Sequence, residues 1–402
     1  MPLSLLHGLR ILAVEQYGAG PFGTQLLADL GADVIKIENP SDGGDMARSV
    51  GPHFSEALPE TARSFFFQGL NRNKRSIALD LSKPDGRAIF KQLAATCDAV
   101  ASNLRGDVPD RIGITYRHLA EVNPSIVCAH LTGYGRDGER ATWPGYDYLM
   151  QAEAGYFDLT GDPAGPPSRM GLSLIDLMTG VVLGLGLVSG VMQARSTGQG
   201  RDVDVSLFDL ALFNLNYIGH WYLNAGATTS RLPRSAHPVL TPCQSYRTAD
   251  GWIYLMCNKE KFWPLLCDKI GKPELAQDPA FLTFADRLRE RERLTDLLDE
   301  ALSARTTADW MAVFGGSIPA APILDVAQAL DNPFVHQRGG VERIPVEGNE
   351  VLSLLSCPIR SQEPAGPGRR APALGEHTDD VLDAIGVTAQ QRQGLRSRGV
   401  IG

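Results

Sequence analysis

The first forty residues alternate between strand and helix patterns, and this order restricts the chain to few folds. Residues 9–15 predict a buried strand, residues 22–30 a helix that Gly31 ends, and residues 32–38 a second strand. The alternation returns over residues 84–131. Strands that alternate with helices form a mostly parallel sheet, so the pattern predicts an α/β protein whose sheet is covered by helices on both faces.

The length of 402 residues exceeds the size of a single hydrophobic core, so we expect two domains. Loop-like residues 226–236 indicate one boundary, and a turn at Asn332 indicates another. We predict a large domain over 1–224, a smaller α+β domain over 225–331, and a return to the large domain over 332–402.

Composition disfavours several partners. The formal net charge of −8 argues against nucleic acid or an anionic membrane surface. The six cysteines form no CxxC pair and do not stand near histidines at metal-ligand spacing, so we expect reduced thiols and no metal. Because the first residues lack the basic and apolar segments of a signal peptide, we expect a cytoplasmic protein.

Asp176 is the only charged residue between Met170 and Ala194. The apolar, glycine-spaced run that follows it is long enough for a membrane span, but its glycines and flanks favour a buried helix. A carboxylate in such surroundings is costly to desolvate unless it is paired or used. Two compatible interpretations remain open: Asp176 is the N-cap of the helix, or it has a chemical role.

The segment Gly18-Ala-Gly20-Pro-Phe-Gly23 lies between the first strand and the first helix, and Glu38 ends the second strand. This spacing fits the glycine fingerprint of dinucleotide-binding proteins, in which the acid binds a ribose. Pro21, however, removes an amide that a phosphate could use. The motif is therefore also compatible with another nucleotide or an acyl group at a helix N-terminus.

Motifs along the whole chain resemble the class III coenzyme A-transferases, the group of formyl-CoA transferase and carnitine CoA-transferase. The resemblance rests on residues 18–21, 30–38, 73–80, 103, 110–113, 133–135, 146–147, 161–167, 176–180, 197–200 and 374–378. It implies a Rossmann-like large domain built from both chain ends, an inserted small domain and an interlocked homodimer. It also makes the glycine segment part of an acyl-CoA site instead of an NAD site.

The same resemblance places Asp176 at the catalytic aspartate of the family. Carboxylate nucleophiles form covalent intermediates, here an aspartyl mixed anhydride and then an aspartyl-CoA thioester. No permanently bound cofactor is implied, because the CoA thioester is a substrate. The positions that match CoA contacts are Ala19, Leu79, Asn103, Leu104, Arg105, Arg111 and Tyr146.

Substrate residues follow less directly from the resemblance. Asp147 lies beside the reacting region, while Arg234 and His237 could supply positive groups for the second carboxylate of a dicarboxylic acid. We therefore expect a donor such as succinyl-CoA. Gly18 replaces a glutamine of the formyl-CoA transferases, and residues 234–238 lack their glycine-rich loop, so a formyl or oxalate substrate is disfavoured.

Two alternatives remain. Racemases of α-methylacyl-CoA esters share the fold but need a histidine where this chain has Tyr146, and tyrosine is a poor proton shuttle at neutral pH. A non-catalytic CoA-binding protein is the other alternative. Covalent modification of Asp176 by an acyl-CoA would distinguish a transferase from such a binding protein.

Overall fold

The computed structural model describes residues 2–362 and 366–402. In this part of the chain the strands are β1 Arg10–Val14, β2 Asp33–Glu38, β3 Arg75–Ala78, β4 Ala99–Ser102, β5 Val127–Thr132, β6 Arg201–Ser206, β7 Cys243–Arg247, β8 Trp252–Met256, β9 Ala320–Pro322, β10 Val341–Pro345 and β11 Val351–Leu355. The helices are α1 Ala19–Asp29, α2 Phe65–Asn71, α3 Pro84–Ala94, α4 Val108–Arg111, α5 Tyr116–Leu119, α6 Asp147–Glu153, α7 Tyr156–Leu159, α8 Leu174–Thr197, α9 Leu207–Phe213, α10 Asn216–Ala225, α11 Phe262–Lys269, α12 Phe284–Arg289, α13 Arg291–Leu302, α14 Thr307–Phe314, α15 Val326–Leu330, α16 Pro333–Gln337, α17 Thr378–Asp383 and α18 Ala389–Ser397.

The predicted parallel sheet is confirmed. Its strands stand in the order β3-β2-β1-β4-β5-β6, and each neighbouring pair is parallel. This is the strand order of dinucleotide-binding α/β folds, in which the direction of winding reverses between β1 and β4. Ligands of such sheets bind beyond the carboxyl ends of the strands at that reversal. The residues that follow Val14 and Ser102 are therefore the first place to look for a site.

Both chain ends contribute to the core beside this sheet. Buried Leu12, Ile35 and Val100 of the strands pack in one cluster with Leu382 and Val400 from the C-terminal segment. A backbone bridge between Leu79 and Ile401 joins the C-terminus to the residue after β3. Burial of each such side chain contributes about 1.5–3 kcal/mol, so the C-terminal segment is an integral part of this core.

Helix α8 is the long apolar helix that carries Asp176 in its first turn. Length and composition alone would allow it to cross a membrane. In the structure it packs against α1, β5, β6 and α9. The two helices α1 and α8 approach closely at Gly180, where a Cβ atom would overlap the Ala19 carbonyl oxygen, and at Gly23, where one would overlap the carbonyl oxygen of Gly180. Glycine at both positions lets the backbones of α1 and α8 touch.

The chain divides into two compact units. The first comprises residues 1–154, 171–216 and 334–402, and the second comprises 155–170 and 217–333. The second unit contains the antiparallel sheet β7-β8-β9 and its own core, with buried Trp263, Phe281 and Leu298.

The division differs from the predicted boundaries at residues 155–170, 217–224 and 332–333, all of which belong to the second unit. Residues 155–170 were expected in the large domain but belong to the second unit. A contact within the second unit holds residues 155–170 there. The Arg231 guanidinium donates hydrogen bonds to the carbonyl oxygens of Gly165 and Pro166. Such a contact over 65 residues or more has no local sequence signal.

Candidate active site

A cavity of about 360 Å³ lies in the first unit beyond the carboxyl ends of β1, β4 and β5. This is the location that the reversal of the sheet predicts. Its lining residues are Gln16, Tyr17, Gly18, Ala19, Met46, Asn103, Leu104, Arg105, Leu131, Thr132, Gly133, Trp143, Pro144, Gly145, Tyr146, Asp176 and Leu207.

Asp176 reaches this cavity from the first turn of α8. It is not the N-cap, which is Ser173, so the prediction of a capping role was wrong. The backbone amide of Asp176 instead donates to the Asp147 carboxylate, with a distance of 2.9 Å between Asp176 N and Asp147 Oδ2. An acidic side chain from α6 therefore satisfies one of the free amides at the start of α8. This leaves the Asp176 carboxylate for the cavity.

Asp147 is a supporting residue of this site. Its side chain is buried, and its Oδ1 accepts a hydrogen bond of 2.6 Å from Gln151 Nε2. Gln151 also donates to the carbonyl oxygen of Leu172, the residue immediately before the N-cap of α8. In this structure the Asp147 carboxylate holds the start of the helix that carries Asp176, and its expected contact with substrate stays a prediction.

The environment of Asp176 disfavours its ionised form. Burial raises the pKa of Asp176 to about 7, and the nearby Asp147 carboxylate adds to the shift. The side chain remains partly accessible and lines the cavity. A carboxylate that titrates near neutral pH in a cleft has the properties expected of a chemical group, since it is desolvated without losing access to a ligand.

The glycine segment forms the opposite wall. A Cβ atom on Gly18 would lie 3.0 Å from Asp176 Oδ2, so the carboxylate lies beside this wall with no room for a larger side chain between them. Asn103, the first residue after β4, fixes the segment by a two-sided contact with Gln16. Asn103 Oδ1 accepts from Gln16 N at 2.8 Å, and Asn103 Nδ2 donates to Gln16 O at 2.7 Å. The segment is thus a tight turn between Asn103 and Asp176.

The structure brings most of the predicted CoA contacts together. Ala19, Asn103, Leu104, Arg105 and Tyr146 line the cavity of Asp176. Predicted residues Leu79 and Arg111 line a second cavity of about 390 Å³, which shares Gln16 and Leu104 with the first.

Two arginines stand at the edge of these cavities. Arg105 and Arg111 both contact the carboxylate of Asp107, at 2.6 and 3.4 Å, and all three side chains reach solvent. Solvent-exposed ion pairs of this kind contribute little to stability. The guanidinium groups can therefore release the Asp107 carboxylate and bind a phosphate with little loss of free energy.

Arg234 and His237 belong to the second unit. Arg234 is ion-paired with Asp299, at 2.6 Å between Nη1 and Oδ2. His237 Nδ1 accepts backbone hydrogen bonds from Val239 and Leu240, at 3.1 Å each. Burial lowers the pKa of His237, as does the charge of Arg291. His237 is therefore a neutral imidazole and not the positive group expected from the sequence, because its Nδ1 serves as an acceptor.

Several lining residues were missed by sequence reasoning. Gln16 and Thr132 lie at or just after the ends of strands, where the rule for parallel sheets could have found them. Trp143 lies in an irregular segment and Met46 begins a short 3-10 helix, and neither segment has a recognisable signal in the sequence. Within residues 2–362 and 366–402, no group of three or more His, Cys, Asp or Glu side chains could hold a metal ion.

Comparison with known proteins agrees with this geometry. The family model for CoA-transferase family III matches residues 6–378. The chain is 37% identical over 334 residues to an acetyl-CoA:oxalate CoA-transferase of Acetobacter aceti, covering 83% of this chain and 84% of the relative. It is 34% identical over 400 residues to a succinyl-CoA:mesaconate CoA-transferase of Haloarcula hispanica, covering 96% and 97%.

A solved structure of a CAIB/BAIF family protein from Brucella suis superposes with a TM-score of 0.82 at 32% identity. The superposition covers 96% of this chain and 100% of that one. The predicted resemblance is thus confirmed along nearly the whole length. The chain belongs to CoA-transferase family III and is a CoA-transferase.

Proposed function

We propose that this protein moves CoA from an acyl-CoA donor to a free carboxylic acid, with Asp176 as the covalent nucleophile. The observation that carries the proposal is the placement of Asp176 in a cavity at the reversal of the sheet, with its pKa raised to about 7. Near neutral pH a large fraction of the Asp176 carboxylate is therefore ionised and able to attack, and it is also poorly solvated.

In the first half-reaction the Asp176 carboxylate attacks the thioester carbonyl and releases CoA thiolate, which leaves an aspartyl mixed anhydride. The thiolate then attacks the aspartyl carbonyl, and the donor acid departs with one oxygen that came from Asp176. In the second half-reaction the acceptor carboxylate attacks the aspartyl-CoA thioester. The released thiolate attacks the acceptor carbonyl of the new anhydride and restores Asp176. The wall at Gly18 helps to exclude water from these intermediates.

The two adjoining cavities suit the two ends of CoA. The thiol end reaches Asp176 in the first cavity, past Ala19 and Tyr146. The nucleotide end occupies the second cavity beside Leu79, with Arg105 and Arg111 available to its phosphates. No permanently bound cofactor takes part in this reaction.

For the donor we propose succinyl-CoA, with a dicarboxylic acid as acceptor. The support is the Haloarcula relative, whose name gives succinyl-CoA and mesaconate as substrates, over almost the whole of both chains. Acetyl-CoA with oxalate is the second candidate, because the Acetobacter relative has the higher identity over a shorter match. Gly18, which replaces a glutamine of the formyl-CoA transferases, favours the first pair.

We also propose a homodimer with interlocked chains. Large apolar side chains of α8 and α9 are exposed, among them Leu185 at 66%, Met192 at 69% and Phe213 at 78%. A patch of this kind marks an interface more often than a free surface. Light scattering should give twice the mass of one chain. Because interlocked chains cannot separate without unfolding, the dimer should persist on dilution. The reduced, mostly buried cysteines support a cytoplasmic location.

A substrate matrix tests the proposed function. Succinyl-CoA and acetyl-CoA are each mixed with mesaconate, glutarate or oxalate, and new CoA esters are followed by mass spectrometry, with Asp176→Asn as the inactive control. We expect the highest kcat/KM for succinyl-CoA with a longer dicarboxylate. Exchange of the α-proton of a 2-methylacyl-CoA in deuterated water, with no acceptor and no CoA transfer, would instead indicate the racemase alternative.

A further inference from the structure

Four charged side chains lie buried directly beneath the turn that carries Gly18, and the proposed chemistry does not use them. They are Glu15, Lys36, Asp45 and Lys74, and each side chain has an exposure of 0%. We call them the charge array. An isolated buried charge is strongly unfavourable, so four of them in one place require an explanation.

The array alternates in sign. Lys74 Nζ lies 2.7 Å from Glu15 Oε1, which lies 3.8 Å from Lys36 Nζ, and Lys36 Nζ lies 2.8 Å from Asp45 Oδ2. Burial alone would lower the pKa of Lys36, but Asp45, Glu15 and Glu38 outweigh it and raise that pKa. Burial alone would raise the pKa of Asp45, but Lys36 together with the backbone amides of Ala47 and Tyr17 outweighs it and lowers that pKa. The central pair therefore remains charged.

Three members of the array also hold the backbone of the turn. Lys36 Nζ donates to the carbonyl oxygen of Glu15 at 3.1 Å, and Asp45 Oδ1 accepts from the amide of Tyr17 at 2.9 Å. Lys74 Nζ donates to the carbonyl oxygen of Pro21 at 2.9 Å. The fourth member, Glu15, belongs to the turn itself. These contacts fall on both sides of Gly18.

The held turn has an unfavourable conformation. Tyr17 has a φ of 68°, in the left-handed region that side chains other than glycine rarely adopt. Such a conformation persists only where the surroundings enforce it, and it is common at functional sites. Its neighbour Gly18 lies beside the Asp176 carboxylate, since a Cβ atom at this position would be 3.0 Å from Asp176 Oδ2. The position of this turn therefore sets the wall beside the nucleophile.

We propose that the charge array is a positioning device, which holds residues 16–20 against Asp176 so that the nucleophile stays shielded from water and aligned with the thioester. This inference rests on the proposed function. Stability alone does not account for the array, because buried ion pairs are often no more stabilising than apolar side chains of similar size. The contacts of three members with one turn are what apolar substitutes could not supply.

Charge-balanced double variants test the proposal. Lys36→Met/Asp45→Ala removes two of the backbone contacts without leaving a lone charge, and Lys36→Met/Asp45→Asn keeps an oxygen acceptor for the Tyr17 amide. We expect kcat to fall on the order of tenfold in the first variant and about threefold in the second, with smaller changes in KM, because misalignment acts on the chemical step. Hydrogen exchange of the turn amides should accelerate in the same order.

The matched control is another buried ion pair of the first unit. Arg72 and Asp29 lie 2.6 Å apart with side-chain exposures of 4% and 3%, and neither is part of the turn. Arg72→Met/Asp29→Asn should alter the melting temperature without altering kcat or exchange in the turn.

The array variants should also reach half-maximal rate at lower pH than wild type, because water that enters the loosened site stabilises the ionised Asp176.

Unchanged exchange and kcat in the array variants would overturn the proposal, as would an equal loss of kcat in the control. If the alanine variant does not fold, the asparagine variant decides by the same criteria. The exchange measurement is made on protein without substrate. It therefore tests the array even if wild type fails to transfer CoA, and that failure would count against the proposed function alone.

Discussion

Asp45 and Asp176 are both carboxylates beside the same turn, yet their surroundings are opposite. Asp45 is fully buried and paired with Lys36, and its pKa is held below the usual value. Among residues 2–362 and 366–402 no cation is paired with Asp176, and burial together with Asp147 raises its pKa to about 7. The difference shows that burial alone does not identify a reactive acid. A carboxylate whose charge is matched holds structure, whereas an unmatched one beside a cavity is available for chemistry.

The largest expected effect concerns Asp176. Asp176→Asn should lower kcat by at least about 10³-fold, because the nucleophile is lost while the shape of the side chain is kept. Steady-state kinetics with a saturating acyl-CoA donor measure this. A variant that keeps more than a tenth of the wild-type kcat would contradict the role of Asp176.

The same substitution should not reduce stability. In wild type the folded-state pKa of Asp176 lies above the unfolded value of 3.8, so the protein loses stability as pH rises from about 4 to about 7. Asp176→Asn lacks this loss and should be more stable than wild type above pH 7 by about 1–3 kcal/mol, after allowance for partial solvation. Urea denaturation at several pH values measures the difference.

Removing a charge from the charge array should reduce stability, whereas removing the charge of Asp176 should increase it. Glu15→Gln removes the negative charge between Lys36 and Lys74 and should reduce the free energy of unfolding by about 3–5 kcal/mol, because it leaves buried charge unmatched. The control Asp107→Asn affects an exposed ion pair and should leave that free energy nearly unchanged. Equal effects in the two variants would remove the distinction.

A smaller effect is expected at the wall. Gly18→Ala places a methyl group 3.0 Å from Asp176 Oδ2 and should lower kcat roughly tenfold by displacing the turn or the carboxylate. Gly69→Ala is the matched control, since a Cβ atom there meets nothing within 4 Å. Wild-type kcat in Gly18→Ala would show that the wall does not constrain the nucleophile.

The smallest effect is a shift in pH dependence. The rate of Asp176 acylation should rise with pH and reach half its maximum near pH 7, because only the ionised form attacks. Asp147→Asn keeps an acceptor for the Asp176 amide but removes the repelling charge, so the midpoint should fall by less than about one pH unit. A midpoint that rises would contradict the assigned cause.

Much of the fold was predictable because its signals are local. The strands around residues 10–14 and 33–38 and the apolar helix after Asp176 follow from short runs of apolar residues and their glycine ends. The reversal of the sheet then indicates which strand ends meet. Asp176 itself could be singled out because an unpaired acid in an apolar run is unusual.

The remaining errors concern contacts between distant residues. Asp176 was expected to be the N-cap, but its amide is bound by Asp147, 29 residues earlier in the chain. His237 was expected to be charged, but burial and the nearby Arg291 lower its pKa, and its Nδ1 accepts hydrogen bonds from two backbone amides. The charge array joins residues up to 59 positions apart, and such pairings have no periodic pattern in the sequence.

The central claim, covalent catalysis by Asp176, is tested most directly by oxygen transfer. In a single turnover with an acceptor acid whose carboxylates carry oxygen-18, one labelled oxygen should remain on Asp176, because the bridging oxygen of the second anhydride comes from the acceptor. Mass spectrometry of the peptide that contains Asp176 should show one heavy oxygen, and the same peptide from Asp176→Asn should show none. Complete turnover of substrate with no label in that peptide would contradict the mechanism.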